Sequence, residues 1–280
     1  TCYYKVYSEN NPDFLLDVGV LGIDDGVRYV NTSSVGNVRD LGGWTNSENK
    51  TVKYGKLFRG RNLDSISTAD KKVFNEQLKI KTEIDFRENN ATKVEVADPK
   101  PYDNRVTYYF YNSKAIDYGL ATSIVNGTSL PGPCINPDPN LNGKTLTYKY
   151  MYQEIFTMLA NEESYPIYFH CVSGADRTGA LGFMINGLLG VSYDDLTRDY
   201  ELTSFSKNVG SNRWRRDPNN EDLSKADDFD PTKDYYTVGS WKTEWPKLYS
   251  YVLDKGGSKD LSTAIANFLK TYCGITDNQI

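Results

Sequence analysis

The sequence predicts an α/β fold in which a central, mostly parallel sheet is flanked by helices and preceded by a β-rich lead-in. Three observations carry that expectation. Strand-like and helix-like segments alternate along most of the chain. The short, continuous apolar run Pro166-Ile167-Tyr168-Phe169 reads as a buried central strand. That run passes through a glycine-containing loop straight into the apolar helical segment Thr178 to Leu189.

In chain order, residues 1–30 form the lead-in. Tyr3-Tyr4-Lys5-Val6-Tyr7 and Leu15 to Val20 alternate as strands do, Asp24-Asp25-Gly26 marks a turn, and Val27 to Val30 is strand-like again. Residues 31–280 are expected to be the main domain. Ser67-Thr68-Ala69-Asp70 opens a helix through Leu78, with Ser67 or Thr68 as its N-cap. Ile80 to Phe86 alternates as a strand and ends at Arg87-Glu88, and Val106 to Tyr111 is a second strand. Residues 117–145, carrying Gly119, Gly127, Pro131-Gly132-Pro133, Pro137 and Pro139, read as one long loop. Tyr148 to Leu159 and Asp194 to Phe205 are helical. Residues 206–239 are polar and charged, with Arg213, Arg215 and Arg216 together, and two helices near 247–254 and 261–272 close the chain.

Composition narrows the classes of function. With 39% hydrophobic and 25% charged residues the chain suits a soluble globular protein. No apolar run approaches the roughly 20 residues that cross a bilayer, so no stable membrane insertion is expected. A net charge of −5 and a pI near 5.1 argue against a nucleic-acid partner, which wants a basic face. The chain starts at Thr1 without Met or a signal-peptide pattern, which reads as a trimmed or mature form. Tyrosine-rich strands and the β lead-in suggest an extracytoplasmic or secreted protein.

Cys2, Cys134, Cys171 and Cys273 form no Cys-x2-Cys pair, which disfavours zinc ribbons and dithiol redox motifs; Cys2, Cys134 and Cys273 read as buried or incidental thiols. His170 is the only histidine, which removes most hydrolytic zinc sites, and Ser-His-Asp chemistry unless His170 itself serves. No metal and no cofactor is expected.

The chemistry concentrates in His170-Cys171-Val172-Ser173-Gly174-Ala175-Asp176-Arg177-Thr178-Gly179. A thiolate that attacks phosphate must be ionised near neutral pH, its target's oxygens must be cradled, and charge must be met in the transition state. A helix N-terminus and nearby cations lower a thiol's pKa. Gly174 frees the backbone of Val172, Ser173, Gly174 and Ala175 to point successive amides inward as an anion nest. Arg177, six residues after Cys171, can return its planar fork to two phosphate oxygens. Thr178 can donate to the sulfur, Asp176 at the rim is a candidate general acid, and His170 is expected to point away from Cys171 and fix the loop by hydrogen bonding. Cys-x5-Arg alone is weak, since four cysteines produce it by chance in roughly one chain in five. The added His, Gly, Thr and Gly between an apolar strand and an apolar helix make it specific.

At these residues the chain resembles the protein tyrosine phosphatase superfamily, and within it the bacterial branch with the signature His-Cys-x-x-Gly-x-Asp-Arg-Thr-Gly, whose members act on phosphotyrosine and sometimes on phosphoinositides. Asn37-Val38-Arg39-Asp40-Leu41-Gly42-Gly43, Tyr54-Gly55-Lys56-Leu57-Phe58-Arg59-Gly60, Ile84-Asp85-Phe86-Arg87 and Gly274-Ile275-Thr276-Asp277 resemble further segments of that branch. The resemblance implies a cysteine phosphatase-like fold, Cys171 as nucleophile, Arg177 as phosphate clamp and Asp176 as general acid, with Asp40 and Arg39 building or ordering the pocket wall. Asp117 and Asp138, flanking the long loop, are alternative acids, because many superfamily members carry the acid on a separate loop. The branch commonly has Lys where Ala175 stands, which weighs against multiply phosphorylated inositol headgroups unless Arg213, Arg215 and Arg216 compensate. The expected partner is a phosphorylated protein or a small phosphomonoester. An inactive phosphate-binding module, a phosphoinositide phosphatase and a sulfurtransferase-like enzyme are the competing readings.

Overall fold

Alternation along the central strand sets the layering. The computed structural model describes residues 2–8, 11–21, 28–206 and 244–280. At the N-terminus β1 (Cys2–Ser8) and β2 (Asn11–Leu21) pair antiparallel as their own two-stranded sheet. The main sheet holds β3 (Arg39–Asp40), β4 (Leu57–Gly60), β5 (Thr82–Asp85), β6 (Thr107–Phe110) and β7 (Ile167–His170). Their order is β3-β4-β7-β5-β6, so the apolar run before the cysteine loop is the middle strand. The four strands β4, β7, β5 and β6 run parallel, and β3 closes one edge antiparallel.

Both faces are buried. Ile167 and Phe169 join Ile84, Leu181 and Phe183 in the larger core. Tyr168, pointing the other way, joins Phe58, Phe74 and Tyr102, where Phe74 meets Tyr168 edge-on at 4.9 Å and Tyr102 at 5.4 Å. The helix capped by Ser67, α1 (Thr68–Lys72), runs on into a π-helical turn, Val73–Gln77, that delivers Phe74 to this second core.

The expectation of one long loop over residues 117–145 is corrected by the structure. Its first third is α2 (Asp117–Val125), whose Leu120, Ala121 and Ile124 are buried. Gly119 and the Thr122-Ser123 pair disguised a helix that tertiary burial supports. The remaining helices are α3 (Tyr148–Leu159), α4 (Asp176–Leu188), α5 (Tyr193–Glu201), α6 (Glu244–Gly256) and α7 (Leu261–Phe268). The expected strand at Val27 to Val30 reduces, over the described residues, to a single bridge between Tyr29 and Arg39. Asp24-Asp25-Gly26, Arg213, Arg215 and Arg216 lie outside the described residues. Among the described residues no helix is long and apolar enough to cross a membrane.

Phe169 is wholly buried on the middle strand. Phe169→Ala should therefore cost about 3–5 kcal/mol of folding stability, read as a lower urea midpoint at unchanged slope.

Candidate active site

Residues 171–175 join the end of β7 to the start of α4, and the direction of their peptide groups decides what the loop can bind. Every carbonyl in it is held from outside. His170 Nδ1 lies 3.2 Å from the Cys171 oxygen. Asn62 donates to the Val172 oxygen from its amide at 3.2 Å and from its side chain at 2.9 Å. Asn37 Nδ2 donates to Ser173 at 3.0 Å and Gly174 at 3.2 Å. Arg59 Nη2 donates to Gly174 at 2.9 Å and Ala175 at 3.2 Å. A peptide whose carbonyl is drawn outward presents its neighbouring amides inward. Among the described residues the amides of Val172, Ser173, Gly174 and Ala175 have no hydrogen-bond partner. They are available to an anion, at the positive end of a 13-residue helix. Gly174 has φ +70°, and a Cβ on it would collide with the Gly60 carbonyl, so only glycine fits.

The donors behind the loop are themselves fixed by charge. Arg39 and Arg59 stand directly opposite each other on β3 and β4, an unfavourable pairing of like charges. Asp199, from α5, reaches between them, accepting from Arg39 Nε at 3.0 Å and Arg59 Nη1 at 2.5 Å. All three are buried. Burial and the neighbouring Arg39 push Arg59 down to about 10, while the two guanidiniums hold Asp199 below the usual carboxylate range against burial. Arg39 also donates to Asn37 Oδ1, which orients the amide that Asn37, at φ +63°, presents to the loop.

On the other side, His170 is fully buried and sets the height of the cysteine. Its Nε2 lies 3.0 Å from Glu83 Oε1, and Asp85 stands 3.7 Å from Nδ1. Burial alone would favour the neutral ring, but Asp85 and Glu83 raise its pKa above the ordinary value. Asp85 in turn accepts from Arg87 and, at 2.9 Å, from Tyr108. A cavity of about 360 Å³ opens beside this cluster, lined by Leu63, Glu83, Arg87 and Tyr102 among others. It includes no residue of the cysteine loop, so the loop's chemistry does not lie there.

Cys171 is only 3% exposed. Burial would push its thiol up; the Arg177 guanidinium and Thr178 outweigh both burial and the nearby Asp176 charge and hold it below the ordinary thiol value. Thr178 Oγ1, itself buried, makes no aligned hydrogen bond with a described residue, so its pull on the sulfur is that of a nearby dipole.

Arg177 points back over the sheet. Its Nη1 donates to the Phe86 oxygen at 2.9 Å, the Ser113 oxygen at 2.8 Å and Glu95 Oε2 at 2.6 Å, and Nη2 donates to Glu95 Oε1 at 3.1 Å. Among the described residues Nε has no partner, which leaves one edge of the fork for a ligand's oxygens. Glu95 belongs to a short antiparallel excursion in which its amide donates to the Glu88 oxygen, and Lys93 Nζ sits 2.7 Å from Glu95 Oε1. Burial would raise the Glu95 carboxyl, but Arg177, the Glu88 backbone and Lys93 bring it down to about 2.

Asp176 opens α4, half-buried at the loop, and its Oδ1 accepts from Tyr200 Oη at 2.8 Å. Asp40 stands elsewhere: its carboxylate accepts from the amides of Gly42 at 2.8 Å and Gly55 at 2.6 Å, tying two turns together rather than walling a pocket. Arg39 does order the loop, through Asn37 and Asp199. Asp117 is buried at the start of α2 with φ +45°, and Asp138 is exposed, accepting from the Asn140 amide of its own turn. Cys134 and Cys273 are buried free thiols, as the sequence suggested; the Cys2 side chain lies outside the described residues. Sequence reasoning assigned no part to Asn62, Glu95, Asp199 or Tyr200. None carries a local signal, since each reaches the loop across a long sequence separation. Asn37 and Arg59 were inside quoted motifs, yet their hold on the loop needed the fold.

A model of the tyrosine phosphatase family matches residues 30–280. A curated protein of Cupriavidus necator, whose name assigns it provisionally to the tyrosine-protein phosphatases, is 25% identical over 182 residues, covering 64% of each chain. The match thus spans just under two thirds of that relative. The solved core catalytic domain of the PP-IP phosphatase SIW14 from S. cerevisiae, in complex with citrate, is 15% identical with a TM-score of 0.32, over 59% of this chain and 76% of that one.

Glu95→Gln should loosen Arg177 and weaken vanadate inhibition roughly tenfold, the size of a charge-assisted hydrogen bond. Because the Glu95 carboxyl is lowered in the folded state, its contribution to stability is fully present above its unfolded value near about 4.3 and is lost as pH falls toward about 2. Thermal midpoints of the parent and Glu95→Gln should accordingly differ at pH 6 and converge near pH 2.

Proposed function

We propose that this chain, which belongs to the tyrosine phosphatase family, hydrolyses phosphomonoesters through a phosphocysteine intermediate on Cys171 and acts on phosphotyrosyl groups. One observation carries the proposal. All five carbonyls of the loop are held outward, leaving inward amides around a cysteine whose thiol is lowered by the arginine six residues on.

In the proposed reaction the phosphate's oxygens lie among the amides of Val172, Ser173, Gly174 and Ala175 and against the open edge of Arg177. The Cys171 thiolate attacks phosphorus: a P–S bond forms as the P–O bond to the leaving group breaks, and Asp176 delivers a proton to the departing oxygen. Water then attacks phosphorus, giving its proton to Asp176, and the P–S bond breaks to release phosphate. Thr178 supports the sulfur as it regains its charge. The amides, the helix end and Arg177 supply the electrostatic work throughout. Ala175 brings no cation to the loop, where the resembling branch commonly has Lys, and that lack supports a monophosphate over a multiply phosphorylated inositol headgroup.

Hydrolysis of p-nitrophenyl phosphate in EDTA should fall at least about 1,000-fold in Cys171→Ser and roughly 100-fold in Asp176→Asn. A well-folded parent that binds vanadate without turnover would instead mark a phosphate-binding module. Ala175→Lys should raise activity on a multiply phosphorylated inositol lipid, relative to a phosphotyrosyl peptide, by roughly tenfold; an unchanged ratio would remove the substrate argument from Ala175.

A further inference from the structure

The last turn of α5 presents two consecutive side chains to the catalytic loop. Asp199 fixes the arginines behind the carbonyls, and Tyr200 reaches the other end of the loop, where its hydroxyl donates to Asp176 Oδ1 at 2.8 Å. The Tyr200 ring is fully buried and stacked on Trp245 of α6, centroid to centroid 4.4 Å at 29°. It is also packed against the first turn of α4. A Cβ on Gly179 would lie 2.9 Å from its Cδ2, closer than side-chain carbons approach. Glycine at the end of the Asp-Arg-Thr-Gly stretch thus makes room for this ring, which stacking and packing hold on both sides. Its only polar atom lies on the carboxyl group proposed as the general acid.

We propose that Tyr200 is a positioning residue for proton transfer: its hydroxyl fixes the Asp176 carboxyl and stabilises the charge that appears on it as the proton leaves. The inference rests on the reading of Asp176 as general acid. The chemical logic follows from opposed charges. The Cys171 thiolate and Asp176 repel one another, and a bound phosphate dianion adds to that repulsion. A hydrogen bond donated to a carboxyl oxygen favours the ionised form. It therefore makes Asp176 a stronger acid during P–O cleavage, when the carboxyl's proton passes to the leaving oxygen and the negative charge stays beside the Tyr200 hydroxyl.

That role has a signature which packing alone would not produce. Proton delivery matters most when the leaving group departs poorly by itself. Tyr200→Phe keeps the ring, the stack on Trp245 and the contact with Gly179 while deleting the donor. The measurement is kcat/KM against pH for two substrates, phenyl phosphate with a poor leaving group and p-nitrophenyl phosphate with a good one, in the parent, Tyr200→Phe and Asp176→Asn. Tyr200→Phe should lower kcat/KM for phenyl phosphate about 10-fold and for p-nitrophenyl phosphate less than about twofold. Its alkaline limb should move to higher pH, because the acid it leaves behind is weaker. Asp176→Asn should show the same leaving-group preference more strongly and lose the alkaline limb. Equal losses on both substrates, or none, in Tyr200→Phe would overturn the inference if Asp176→Asn still discriminated between them. Absence of discrimination in Asp176→Asn would instead overturn the acid assignment beneath it, and Asp117→Asn in the same assay would show whether the acid lies on α2.

Discussion

Five successive carbonyls, from Cys171 to Ala175, have to face away from the anion for the amides between them to face it. Each buried carbonyl turned away from solvent then needs a donor behind it, since an unsatisfied one costs about 1–3 kcal/mol. The surrounding structure supplies those donors from four places: His170 on the middle strand, Arg59 at the end of its neighbour, and Asn37 and Asn62 from the flanking segments. The parallel arrangement makes this possible, because β4, β5 and β7 all end at the level where the loop begins. Phe86 continues the ladder by donating its amide to the His170 oxygen at 2.9 Å, while its own carbonyl receives Arg177.

Charge fixes these donors, and the arrangement is costly in isolation. Burying Arg39, Arg59 and Asp199 removes three ions from water, and two of them repel. One carboxylate bridging both guanidiniums lowers that cost, and Arg59 Nη2 then goes to the loop, while its buried Nε has no partner among the described residues. On the far side the same logic runs with the signs exchanged. Glu83 and Asp85 surround the one imidazole, and Asp85 is in turn paired with Arg87. Such pairings specify geometry more than they add stability, which is what a loop responsible for positioning requires.

The arginine within the loop is held by equivalent means. Glu95 fixes one edge of the Arg177 fork and leaves Nε open, as a single-edge clamp needs. Glu95 holds the proposed clamp and Tyr200 the proposed acid, while Asp199 acts one step further back, on the arginines behind the loop that carries the proposed nucleophile.

The sequence by itself determined the fold class, the middle strand and the helix that follows it, and the cysteine loop with its arginine and aspartate. Those features are local: a strand's alternation, a helix cap such as Ser67, and a glycine that a tight loop demands are all written within a few residues of one another. It misread the start of the 117–145 segment because α2 draws its stability from burying Leu120, Ala121 and Ile124, not from propensity. Asp40, read beside Arg39 as part of one motif, proved to serve turns at Gly42 and Gly55, because neighbouring residues on a strand point to opposite faces. Glu95, Asp199 and Tyr200 were decided by tertiary structure alone. A carboxylate or phenol becomes a partner only when the chain brings it within about 3 Å of its group, and contacts across 24 to 160 residues leave no periodicity to read.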